Sequence, residues 1–176
     1  KETWQKCPRK EIKNGVKVHR MFTTRYSKDS ILGRLINSVT FLFPLALFHV
    51  LPRYKGEVFL YTTNPPYLGF VGGFMSVIRP HKYVVLLHDS YPELAVWVGK
   101  IRKNGLIDKF WRWCNKIMYQ RSKQIIVLSD AAKKLVVDNY GPDPDRVHVI
   151  ANWADPNELT PKPKEESDFA KEHKLI

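Results

Sequence analysis

Cysteine is scarce: Cys7 and Cys114 are the only two in 176 residues. Two thiols make no disulfide framework, and the absence of C-x-x-C or clustered His/Cys spacing removes an ordinary zinc site. A reducing compartment is the default. Acidic residues are also short, 17 Asp and Glu against 29 Lys and Arg, for a formal net charge of +12. The excess is uneven: residues 1–60 carry 12 basic and 4 acidic side chains (+8), and residues 61–176 carry 17 and 13 (+4). Such a charge suits polyanions, anionic membrane surfaces or phosphorylated ligands and is silent on fold. No apolar run reaches membrane length. The richest window, Ile31–Leu51, is broken by Asn37, Ser38, Pro44 and His49, short of the roughly 20 predominantly apolar residues a span needs. It reads as a buried helix bent at Pro44. The alternative is a monotopic contact flanked by Arg34, Arg53 and Lys55. No early apolar segment marks a signal peptide, and the opening KETWQKCPRK reads as the middle of a longer chain.

What is present is ordinary for a globular chain, 44% hydrophobic and 26% charged, and long enough for one domain with a core. Residues 1–14 read as a basic tail ending in a turn at Asn14-Gly15, followed by an alternating edge strand at Val16–His19. Further strands are expected at Glu57–Tyr61, Tyr83–Leu87, Gln124–Leu128 and Val147–Ile150. Between the first two lies Tyr67–Ile78, whose Gly69, Gly72 and Gly73 match no nucleotide loop but suit a helix packed tightly on a sheet. Leu106–Arg121 has a helical stripe. Leu106, Ile107, Phe110, Trp111, Cys114, Ile117 and Met118 are expected inward, with Asp108, Lys109, Arg112 and Asn115 outward. Ser129 caps a helix that Gly141-Pro142 ends. Strands alternating with helices predict an α/β fold with a doubly wound, mainly parallel, Rossmann-like sheet.

Chemistry gathers at one strand end. The unbroken apolar run Tyr83–Leu87 suits a strand covered on both faces, and it stops at His88-Asp89. Ligands bind outside the carboxyl ends of strands in such sheets. His88 and Asp89 either line that crevice or merely close the strand. His19, His49, His81 and His148 suit structural or exposed roles. The tryptophans between basic residues in Lys100–Lys123 suit a core better than base stacking, and no helix-turn-helix, zinc or RNA-recognition signature accompanies them.

Taken in order, the blocks TTNPP (62–66), HDSYPE (88–93), Gly99, a basic Trp-rich helix, QIIVLSDAAKKLV (124–136) and HVIANWAD (148–155) resemble bacterial members of glycosyltransferase family 4. The likeness is strongest to the subgroup extending lipid-linked or exopolysaccharide repeat units. It implies one half of a GT-B architecture. Residues 1–155 would be the acceptor-side Rossmann-like domain, lacking or replacing the usual first strand and Gly-rich loop. Residues 156–176 would be a linker and the start of the donor domain, so that this polypeptide alone is inactive. The implied reaction is a retaining transfer of a hexosyl group from a nucleotide-sugar to a lipid-linked or polysaccharide acceptor, with His88 and Asp89 as catalytic residues and Thr63, Asn64, Tyr91 and Glu93 as cleft or acceptor contacts. Asp89 either orients His88 or takes the acceptor's proton; Glu93 does the same or favours a helix start. Asn152 is a hinge residue. The resemblance implies no metal, no cofactor beyond the nucleotide-sugar donor and no nucleic-acid partner. The expected location is cytoplasmic, and the basic Lys100–Lys123 helix face together with the +8 front end suits docking to the anionic inner face of the cell membrane. A non-catalytic membrane- or nucleic-acid-binding α/β domain is the competing reading.

Overall fold

The chain's first regular element is a hairpin, β1 (Lys10–Lys13) against β2 (Val16–His19). Asn14 and Gly15 both have positive φ, 51° and 80°, as a two-residue hairpin turn of matching twist requires. The structure is a computed structural model that describes residues 7–27, 29–50, 56–153 and 163–175. The half of the hairpin read from sequence as a tail is therefore a strand. Its alternation is faint because both strands are mostly exposed.

The main layer follows, with helices between successive strands. Helix α1 (Ile31–Val50) leads to β3 (Val58–Thr62), α2 (Leu68–Ile78) and β4 (Lys82–Leu87). Then come the short α3 (Glu93–Trp97), α4 (Leu106–Arg121), β5 (Gln124–Val127), α5 (Asp130–Tyr140) and β6 (Val147–Val149), with α6 (Asp168–Glu172) near the end. Strands β3–β6 form one parallel sheet in sequence order. This is the parallel α/β, Rossmann-like layer expected, consistent with half of a GT-B arrangement.

The sheet's order explains its burial. Every crossover steps the same way, and right-handed crossovers that do so put their helices on one face. On that face Tyr83, Val85, Ile125 and Val127 are fully buried, and they pack with Met118 and Tyr119 of α4 and Val136 and Tyr140 of α5. The other face is less covered: Leu60 is exposed, and Val84, Leu86 and Ile126, which share that face with it, are half-buried. A β4 strand covered equally on both faces is thus corrected to one buried and one half-buried face among the described residues.

Helix α2 fits because it has no side chain at its closest approaches. A Cβ on Gly72 would lie 2.4 Å from the Tyr61 ring, and one on Gly73 would lie 3.0 Å from the Cα of Met118. The tight packing expected of this segment is directed at β3 and α4 together. Helix α5 starts and ends as read: Ser129 Oγ accepts from Ala132 N–H (3.2 Å), and Gly141 closes it at φ 64°.

Two burial expectations are overturned. Helix α1 runs on through Pro44 but is not buried all round: Leu32, Val39, Phe43 and Leu47 are exposed. In α4 the faces are exchanged over the first half. Leu106, Ile107 and Phe110 are 88%, 62% and 62% exposed, while Asp108 and Asn115 are buried. The polar stripe Asp108, Arg112, Asn115 has the same helical spacing as the apolar one, and it turns inward because each member finds a partner there. Among the described residues no helix is long and apolar enough to cross a membrane.

Candidate active site

The end of β4 is held by its neighbour. Thr63, just past β3, donates its own N–H to Leu86 O (3.1 Å). Its side-chain oxygen accepts from the N–H of His88 (2.9 Å) and of Asp89 (3.2 Å). Both backbone donors, which leave the ladder here, are thereby satisfied. Thr63 is itself buried, so the expected cleft contact is instead a support that fixes where the His88 and Asp89 side chains begin. His88 is exposed and Asp89 half-buried.

The following turn is clamped from α4. Asn115 Nδ2 donates to Tyr91 O (2.6 Å) and to the Tyr140 hydroxyl (3.0 Å). The Tyr91 ring stacks on Trp111 with centroids 5.6 Å apart, and Tyr91–Pro92 is a cis peptide, as is Asn64–Pro65. Glu93 opens α3 and is anchored rather than free. Its Oε1 accepts from Arg112 Nη1 (2.8 Å), Tyr140 Oη (2.7 Å) and Asn139 Nδ2 (3.2 Å). Arg112 also donates Nε to Asp108 Oδ1 (2.9 Å), and Asp108 Oδ2 accepts from Asn104 N–H (2.8 Å). Burial pushes the Tyr140 phenol up, Asn115 opposes this, and the Glu93 carboxylate raises it further; Tyr140 therefore stays a donor. For Arg112 burial works downward, but the carboxylates of Glu93 and Asp108 outweigh it and hold the guanidinium above its ordinary value. Glu93 Oε2 is buried without a hydrogen-bond partner among the described residues.

These pieces border one open cleft of about 1000 Å³, whose lining includes His88, Asp89, Ser90, Glu93, Lys103, Asn104, Arg112 and Asn139. Of the residues anticipated from sequence, His88, Asp89 and Glu93 meet on it. Thr63, Asn64 and Tyr91 do not line it; Asn64 is exposed at the end of β3, and Tyr91 faces Trp111. Lys103, Arg112, Asn139 and Tyr140 were not anticipated. For Arg112 a signal existed, since Asp108 four residues earlier is an ion-pair spacing. Of the NWAD block, Asn152 and Trp153 are exposed, and Ala154-Asp155 lie outside the described residues. Among the described residues no three His, Cys, Asp or Glu side chains gather as metal ligands.

An exposed imidazole and a carboxylate on a fixed strand end, in a cleft also lined by cationic and amide donors, can orient a hydroxylated ligand and exchange a proton with it. Comparisons with known proteins place the chain in a family. A probable glycosyltransferase of Pseudomonas aeruginosa, WbjE, is 28% identical over 147 residues, which cover 82% of this chain and 36% of the relative. The chain thus spans about a third of that relative's length. The family model of Glycosyltransferase Family 4 matches residues 10–158, from β1 past β6, and the chain belongs to that family.

Proposed function

We propose that this chain supplies the acceptor-side half of a retaining glycosyltransferase that moves a hexosyl group from a nucleotide-sugar to a lipid-linked or polysaccharide acceptor. The observation that carries the reading is the placement of His88 and Asp89 at the carboxyl end of β4, side by side on the cleft wall. In this scheme residues 1–155 hold the acceptor, and the stretch from 156 leads into a donor-binding half without which there is no turnover. Glycosyl transfer develops positive charge at the sugar and negative charge on the departing diphosphate. His88 hydrogen-bonds the sugar in flight or polarises the site. Asp89 orients His88 or receives the acceptor hydroxyl's proton. Glu93 positions the His88–Pro92 turn through Arg112 and Tyr140. No metal or further cofactor is assigned to this half. The protein works in the cytoplasm, peripheral to the inner face of the membrane where a lipid-linked acceptor is presented.

His88→Ala in the complete enzyme is expected to lower kcat by roughly 10²–10³-fold, the loss typical of one well-aimed polar group. Because His88 is exposed, the melting temperature should stay near that of the parent. Turnover equal to the parent would sink the assignment. A parallel loss of turnover and melting temperature would move His88 to a structural role.

A further inference from the structure

The inverted helix α4 has a consequence for where this protein sits. Its outward face carries Leu106, Ile107, Phe110 and Trp113, all more than half exposed. The patch is continuous, since Phe110 and Trp113 have ring centroids 5.9 Å apart and Trp113 lies 5.5 Å from Phe74 of α2. Beyond Phe74, α2 exposes Val77 and Ile78, and α1, which packs on α2, repeats the pattern with Phe43 75% exposed. Contiguous apolar surface of this kind is rare on soluble monomers unless something covers it.

Charge identifies the cover. Helices α1 and α2 contain no Asp or Glu, and Leu94–Lys123 contains one, Asp108. Asp108 is fully buried against Arg112 and the Asn104 amide. Exposed Lys100, Arg102, Lys103, Lys109 and Lys116 therefore rim the α4 patch with no exposed carboxylate between them. A second copy of the same face would bring like charges together, whereas an anionic bilayer matches both features. Indole and phenyl rings sit at the headgroup level, and lysines pair with lipid phosphates.

We propose that the outward face of α4, with its continuation onto α2, is a docking surface for an anionic phospholipid bilayer. Leu106, Ile107, Phe110 and Trp113 enter the interface, and Lys100, Lys109 and Lys116 hold the headgroups. The surface stands on its own observations. It deepens the proposed function only in placing the cleft near a membrane-borne acceptor, and a binding assay reads it without turnover.

The complete protein should sediment with vesicles of phosphatidylcholine containing phosphatidylglycerol, far less with phosphatidylcholine alone, and progressively less as salt is raised. Lys100→Gln, Lys109→Gln and Lys116→Gln should each lower partitioning about fivefold. Leu106→Ser and Phe110→Ser should each lower it roughly tenfold. Unchanged melting curves for all five variants keep these losses attributable to the surface, since the side chains are exposed. Absence of vesicle binding, or binding that none of the five variants weakens, overturns the proposal. So does a dimer in sedimentation velocity that Phe110→Ser dissociates, which would assign the face to a second copy.

Discussion

Thr63 shows how little side-chain chemistry is needed to place a reactive pair. One hydroxyl oxygen receives two backbone N–H groups at a part-buried turn. Thr63→Val keeps the shape and removes the acceptor. The expected cost is about 1 kcal/mol of stability, that of losing the hydrogen bonds to a buried hydroxyl. Turnover of the complete enzyme should fall as well, because the His88 and Asp89 backbone loses its anchor, and chemical unfolding alongside kcat checks both. A variant as stable and as active as the parent would show that water replaces the hydroxyl without loss. At this scale the sequence announced His88 and Asp89 through an abrupt change from apolar to ionisable residues at a strand end. It did not announce Thr63's role, because a threonine after a strand reads alike whether it faces a cleft or a neighbouring turn. Nor did it announce Tyr140, which reaches Glu93 across 47 residues of chain.

Elements were legible where local signals were self-contained. Strands β3–β6 lack competing helical periodicity, and Ser129 and Gly141 bracket α5 by the chemistry of caps. Helix α4 was legible as a helix, yet its orientation was not. Two stripes share its spacing, and hydrophobicity alone favours burying Leu106 and Phe110. The choice went to Asp108, which finds Asn104 and Arg112 one turn away on either side, and to Asn115, whose partners Tyr91 and Tyr140 come from distant segments and are invisible in a local window. Helix α2 makes the complementary case, in which absence of side chains is the signal. A Cβ at Gly73 would press on the Met118 backbone, which has no rotamer to yield. Gly73→Val should therefore destabilise the fold by about 1–3 kcal/mol through overpacking, although the same change at an exposed helical glycine would be neutral or better. A thermal melt comparing Gly73→Val with the parent decides this; a higher melting temperature would mean that α2 and α4 are free to separate.

On the scale of the whole molecule, the core is unusual in the number of phenols it buries. Tyr61, Tyr83, Tyr119 and Tyr140 are each at most 4% exposed and belong to the single cluster beneath the sheet. Burial raises the pKa of all four, that of Tyr83 to about 12. An unfolded tyrosine ionises near pH 10. Above that pH the unfolded chain gives up protons that the folded chain keeps, so stability falls as pH rises. For Tyr83 alone the loss between pH 10 and 12 is on the order of 2–3 kcal/mol. His49 sets the other limit. It is buried, donates Nδ1–H to Leu45 O (2.7 Å), accepts the Tyr61 hydroxyl at Nε2, and lies beside His81. Burial lowers its pKa, the Leu45 carbonyl opposes this, and the charge of His81 adds to the lowering. Below about pH 6.5 the unfolded chain binds a proton there that the folded chain refuses, so stability falls as pH falls until the depressed folded value is reached. Burial also raises the Cys114 thiol, which an unfolded chain would ionise from about pH 8.5, so the melting temperature should be flat from about pH 7 to 8.5 and decline on both sides. Replacing His49 with Gln, which retains hydrogen-bonding capacity, should reduce the acid-side decline and leave the alkaline side as it is. If the acid-side slope is the same in His49→Gln as in the parent, the coupling of His49 to the fold is absent. A plateau that continues to pH 12 would mean that the buried phenols reach solvent without unfolding.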